Sequence, residues 1–220
     1  MSPIRTALFI ALALGTTPVF ASEDISKVNG SIEAEAGRAY GELETVNGSI
    51  RIAEGATTAD AGTVNGSIKV GAKASTGSLE TVNGGIRLDG GVTVDGSIET
   101  VNGEVFVDRG GKVKHGVSTV NGAIGLVATH LGGGIETVNG NVTVGVGSVV
   151  KGGLKVEKNN SWIQPKNKRI PRIIIGPNAV VEGPLVFERE VNLYVHRSAK
   201  TGPITGATAK AFDSDSAPKD

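Results

Sequence analysis

Side chains able to do chemistry are few in this chain. It has no cysteine and three histidines, His115, His130 and His196. A histidine acting as general base needs a partner within hydrogen-bond reach. His130 follows His115 by 15 residues, so the two are candidates for similar angular positions in successive short repeats. The simpler reading is three exposed histidines with no joint role. Four glutamates, Glu44, Glu80, Glu99 and Glu136, share the context Leu/Ile-Glu-Thr-Val. Paired carboxylates cleave glycosidic bonds when a groove holds the sugar between them. Here Gly62 and Ser118 interrupt the series, and a solvated outer face accounts for the rest. Asp89, Asp95 and Asp108 lie in glycine-rich stretches. Calcium-binding β-rolls use a nine-residue motif with several aspartates. That motif is missing, and turn chemistry explains these aspartates. No catalytic, cofactor-binding or metal site is therefore expected.

The most distinctive local feature is basic. Lys151, Lys155, Lys158, Lys166, Lys168, Arg169 and Arg172 stand against Glu157 alone, a local balance of +6, and the only tryptophan, Trp162, lies among them. Long loops on rigid scaffolds often carry function. A cationic loop with one aromatic suits an anionic envelope polymer, a phospholipid headgroup or an acidic protein. Trp162, Lys158, Lys166, Lys168, Arg169 and Arg172 are the candidate partner-binding residues. The competing reading folds Trp162 and Ile163 over the chain's core as a seal.

These residues are positioned by a repeat. Val-Asn-Gly occurs seven times, with asparagines at Asn29, Asn47, Asn65, Asn83, Asn102, Asn121 and Asn139, at steps of 18, 18, 18, 19, 19 and 18. So short a period makes each repeat one turn of a stack. Within it runs a hexad of aliphatic, Asn or Asp, Gly, small, aliphatic, exposed, as in Val82-Asn-Gly-Gly-Ile86-Arg and Val94-Asp-Gly-Ser-Ile98-Glu. Its first positions include Val46, Ile52, Val64, Val70, Val101 and Val107, and its fifth positions Ile50, Ile68, Val105, Ile124 and Val142. Both are expected to face inward. Ile86-Arg87-Leu88 reads as a short strand with two side chains in and one out. Asn-Gly reads as a corner, where both residues tolerate positive φ. Three strands and three corners close one triangular coil, and coils stack in parallel about 4.8 Å apart. In-register asparagines can then hydrogen-bond as a ladder. Thr45, Asn47 and Ser49 with their equivalents could form a regular polar array on the surface. One face spaces its apolar residues by three, as in Leu43-Glu-Thr-Val46, which predicts a bulge. A rival reading makes each Asn-Gly a hairpin turn.

The expected fold is all-β, a single-stranded parallel β-solenoid of about nine coils of 18–19 residues, roughly 40–45 Å long. It spans residues 22–205, with an inserted loop near 157–170 of about a dozen extra residues. Residues 206–220 are polar and predicted to be a disordered tail. Open ends make end-to-end self-association an expectation.

The first 21 residues read as a secretory signal: Arg5, the apolar run Ala7–Leu14, and Val19-Phe20-Ala21 as cleavage site. No later segment is long and apolar enough to span a membrane. The mature chain, with 21 cations and 22 anions, gives no argument for nucleic acid. A periplasmic or secreted location follows, with no disulfide to staple the fold.

The Val-Asn-Gly-Ser-Ile units from Asp24 to about Val150 resemble the bacterial adhesin-type β-strand-repeat family. The 18-residue coils also resemble bactofilins, which polymerise end to end. The first resemblance implies a right-handed β-helix of envelope proteins. Ile175-Gly-Pro-Asn-Ala179 fits the left-handed hexapeptide pattern of acyltransferases, but the fifth position elsewhere is Ile or Val, where that pattern prefers a small residue. The expected function is a non-enzymatic scaffold or adhesin-like protein binding an envelope polysaccharide or envelope protein. A self-assembling filament subunit and a carbohydrate-active β-helix enzyme are the alternatives.

Overall fold

The computed structural model describes residues 23–158 and 170–214. The signal segment 1–21, the inner part of the insertion with Trp162, Lys166, Lys168 and Arg169, and residues 215–220 lie outside the described residues. Short strands separated by corners form three parallel sheets, and no helix occurs among the described residues. One coil shows the plan. Leu79–Asn83 lies in the first sheet, Ile86–Leu88 in the second and Thr93–Val94 in the third, and Ile98–Asn102 begins the next coil. Each strand pairs in parallel with its counterparts one coil before and after. This pairing excludes the hairpin reading. The first and second sheets hold ten strands each and the third seven, continued by isolated bridges at Ala39 and Thr57, so the solenoid has about nine turns, the coil count that the repeat predicts.

In-register stacking makes the core a set of columns. Ile50, Ile68, Ile86, Val105, Ile124 and Val142 follow one another inside the second sheet. Leu43, Ala61, Leu79, Ile98, Val117, Ile135 and Leu154 do so inside the first. All are buried. Narrow coils leave room for aliphatic side chains of this size and little more, which accounts for the low aromatic content.

One inward column differs from expectation. Val28 is exposed and the other valines of Val-Asn-Gly are only half-buried, and the threonines before these six point inward. Thr45, Thr63, Thr81, Thr100, Thr119 and Thr137 are at most 4 % exposed. There is no bulge at this place in the repeat. Leu79-Glu-Thr81 alternates in, out, in, as a regular strand does. A buried hydroxyl needs a partner. Thr45, Thr63, Thr81 and Thr100 donate to the main-chain oxygens of Gly30, Gly48, Gly66 and Gly84, one coil back, at 2.9–3.0 Å. Where the Asn-Gly corners end, the same column continues as Val156 and Phe187.

The glycine after each asparagine also has a different reason from the expected one. Gly48, Gly66, Gly84 and Gly103 do not have positive φ. Instead, a Cβ on any of them would sit 1.8–2.2 Å from the preceding coil's glycine oxygen. The corners stack too closely for a side chain. Positive φ belongs mainly to the corner between the second and third sheets, at Gly37, Gly55, Gly91, Gly110 and Gly147.

The insertion occupies one corner. Between Thr137 and Val142 run four residues, 138–141. Between their stacked partners Val156 and Ile173 run sixteen, 157–172, so twelve are extra. The coil then resumes, with Ile175, Val181, Phe187 and Leu193 buried. The solenoid also continues beyond residue 205. Lys210–Phe212 adds a strand beside Tyr194–His196, and Phe212 is buried with its ring edge-on to His196 at 5.0 Å. A single apolar side chain anchors this otherwise polar stretch as part of the last coil.

Candidate functional site

The asparagines form one continuous ladder along an outer edge of the rod. Each Nδ2 donates to the Oδ1 one coil back: Asn47 to Asn29, Asn65 to Asn47, Asn83 to Asn65, Asn102 to Asn83 and Asn121 to Asn102 at 3.0 Å, and Asn139 to Asn121 at 2.9 Å. All the amides point the same way, so the last oxygen, on Asn139, is the negative end. The Arg189 guanidinium meets it there, and also donates to the Val138 main-chain oxygen at 2.9 Å. Arg189 reaches across because the intervening corner is the one opened by the insertion.

The stems of the insertion are tied down. The Lys158 N–H donates to Glu188 Oε2 at 3.2 Å. Lys155 Nζ lies 2.9 Å from Glu157 Oε1 and 3.3 Å from Glu188 Oε1. The bond to Glu157 raises the Lys155 pKa, and the Lys158 N–H, followed by Lys155, lowers that of Glu188. On the returning stem, the Arg172 N–H donates to Asn141 Oδ1 at 3.0 Å, and its guanidinium stacks over the Tyr194 ring at 5.1 Å. Lys158 and Arg172 thus flank the insertion, while Trp162, Lys166, Lys168 and Arg169 lie outside the described residues. Sequence reasoning missed Glu188 and Arg189. Their signal is positional: Phe187-Glu-Arg-Glu fills the corner that Thr-Val-Asn-Gly fills elsewhere. Counting Glu188 with Glu157 against the seven cations lowers the balance at the insertion to +5.

A second surface is the outer face of the first sheet. Glu44, Gly62, Glu80, Glu99, Ser118, Glu136 and Lys155 follow one another in register, with half-exposed Val64, Val82 and Val101 alongside. The interruptions at Gly62 and Ser118 are open depressions of about 270 Å³ each. Glu44 and Glu80 flank the first, and Glu99 and Glu136 the second. Among the described residues none of these four carboxylates pairs with a cation. Burial against the sheet, then Glu99 and Asp60, raise the Glu80 pKa; burial, then Glu44, raise that of Glu42. Opposite charge sits on the second sheet, where Arg51, Lys69 and Arg87 stack. Arg87 covers the Phe106 ring at 4.6 Å.

The other sequence candidates do not converge. Lys112, not His115, stacks beneath His130. His115 sits at the corner stacked on Gly133, and His196 Nδ1 lies 2.8 Å from Ser198 Oγ. Asp89 lies 3.8 Å from Arg87 and 4.0 Å from Lys69, and Asp108 lies 3.8 Å from Arg109. No three metal-binding side chains cluster among the described residues. Of the polar array, Thr45 is buried, leaving Asn47 and Ser49 at the surface. Among the described residues no helix is long and apolar enough to cross a membrane. Comparison with protein-family models, curated proteins and solved structures returns no match to this chain.

Proposed function

We propose that this chain is a non-enzymatic, exported scaffold of the bacterial cell envelope. Its stacked coils hold the basic insertion in place, and through it the rod binds an envelope polysaccharide or an envelope protein. The observation that supports this reading most is the anchoring of the stems at Lys158 and Arg172, on a rod whose every layer is fixed to the next. Local charge of +5 on a near-neutral chain favours an anionic partner, and Trp162 offers a flat apolar face for a sugar ring or an acyl boundary. The adhesin-type resemblance of the repeats agrees with a role outside the cytoplasm.

The test replaces residues 158–171 with Asn-Gly, which gives that coil an ordinary corner. Wild type and graft are compared for retention on purified peptidoglycan, on anionic-lipid vesicles and on an envelope protein extract. Wild type should be retained on at least one, less so as salt screens the charges, and the graft should not. Equal retention of the two proteins would move the function to the regular faces.

A filament subunit is the second reading. The outermost strands of the first and second sheets pair on one side only, and such edges are templates for another chain. Concentration-dependent growth in light scattering would favour it.

A further inference from the structure

Seven Asn-Gly steps in nearly identical contexts make this chain a comparison set for one covalent reaction. In such a step the glycine nitrogen attacks the asparagine side-chain carbonyl carbon. The new C–N bond closes a succinimide ring, the bond to the side-chain nitrogen breaks, and ammonia leaves. Water then opens the ring at either carbonyl to give aspartate or isoaspartate. Water is the only co-reactant. The reaction needs a glycine nitrogen free of other commitments and a backbone able to bend toward the side chain.

At most of the steps that nitrogen is committed. The N–H groups of Gly30, Gly48, Gly66, Gly84 and Gly103 donate to the main-chain oxygens of Asn47, Asn65, Asn83, Asn102 and Asn121, one coil on, at 2.9–3.1 Å. The Gly140 N–H turns inward to Thr137 Oγ1 at 3.0 Å. Gly122 breaks the series. Its counterpart acceptor would be the Asn139 oxygen, but the Asn139 corner is built differently. The strand Ile135–Thr137 stops two residues short of its neighbour Val117–Asn121: the Asn139 N–H keeps the ordinary ladder bond to the Val120 oxygen at 2.9 Å, but the next bond of the ladder, from the Gly122 N–H to the Asn139 oxygen, is not formed. The cause lies one coil further on. The insertion replaces the next corner, so the Asn139 corner has no Asn-Gly step to stack against and closes on itself.

We propose that Asn121 is the site at which the folded rod deamidates. Its side-chain bonds to Asn102 and Asn139 belong to an exposed ladder and open easily, and of the seven attacking nitrogens only that of Gly122 is held by neither a main-chain nor a side-chain acceptor. An aspartate at 121 would face the Asn102 oxygen with a carboxylate and lose that rung. Isoaspartate would add a methylene to the main chain and shift the corner out of register. Ageing would thus mark the coil two steps before the insertion.

The experiment incubates the wild-type protein at mildly alkaline pH and follows each Asn-Gly site by peptide mapping with mass spectrometry, resolving aspartate from isoaspartate. A parallel incubation in denaturant supplies each site's unfolded rate. Asn47, Asn65, Asn83 and Asn102 should react at least about tenfold more slowly folded than unfolded, the factor given by about 1.4 kcal/mol of local opening free energy. Asn121 should stay within about threefold of its unfolded rate. Protection of Asn121 equal to that of its neighbours would overturn the proposal, as would a faster reaction at the terminal Asn29, which would assign the pattern to fraying. The corner graft supplies the missing stacking partner and should protect Asn121; an unchanged rate in the folded graft would refute the assigned cause.

Discussion

Replacing Asn83 with alanine tests whether the ladder stabilises the stack or only shapes corners. Asn83 donates to Asn65 and accepts from Asn102, both at 3.0 Å, so the substitution removes two hydrogen bonds. The side chains are exposed, which places each bond in the ordinary net range of about 0.5–1.5 kcal/mol, below the cost of stranding a buried group. The expected loss is about 1–2 kcal/mol. Asn83 does not have positive φ, so alanine adds no backbone strain. Asn29→Ala removes one bond, the acceptance from Asn47, in a terminal coil that contributes less to the stack. Its expected loss is about 0.5 kcal/mol or less. In a urea titration with a slope near 3 kcal/mol/M, Asn83→Ala should lower the midpoint by roughly 0.5 M and Asn29→Ala by a third of that or less. Asn83→Asp should be worse than alanine, because it loses the donor and turns a carboxylate toward the Asn65 oxygen. Equal midpoint shifts at positions 29 and 83 would refute the ladder argument.

Two further outcomes are expected. Thr81→Val should destabilise by about 1–2 kcal/mol despite its greater apolarity, because the Gly66 oxygen loses its donor, whereas Val82→Thr should change stability by under about 0.5 kcal/mol; the same titration decides. Glu80→Gln should stabilise at pH 7 and do nothing at low pH. The folded-state pKa of Glu80 is raised, so its contribution is favourable below the unfolded carboxylate pKa, near about 4.3, and is lost as pH rises through the folded value; a gain that persists in acid would contradict this sign.

The period carried most of the fold. Steps of 18 and 19 residues define coil, stack and ladder, because parallel in-register strands are the arrangement that turns such a period into continuous columns. What the period could not carry was the choice between Thr and Val inside the first sheet. Aliphatic character argues for Val46 and its equivalents, but the corner oxygen one coil back argues for Thr45, and only the three-dimensional stack shows that oxygen. Glycine was legible as a requirement but not in its cause, since close approach of neighbouring coils is a property of the assembly. The basic insertion could be found from charge alone. Its anchoring by Glu188 and capping by Arg189 could not, because these residues are distant in sequence and adjacent only once the extra twelve residues are looped out.

The insertion leaves the rod at the eighth strand of the first sheet, seven layers above the first strand, or about 34 Å at the strand spacing. Each layer is a self-similar unit of 18 or 19 residues. Duplicating or deleting one such unit below the insertion would therefore move it by about 4.8 Å without altering its own residues. The repeat works as a ruler whose divisions are written in the gene, and the distance between the rod's foot and its basic arm can evolve one notch at a time, independently of what the arm binds.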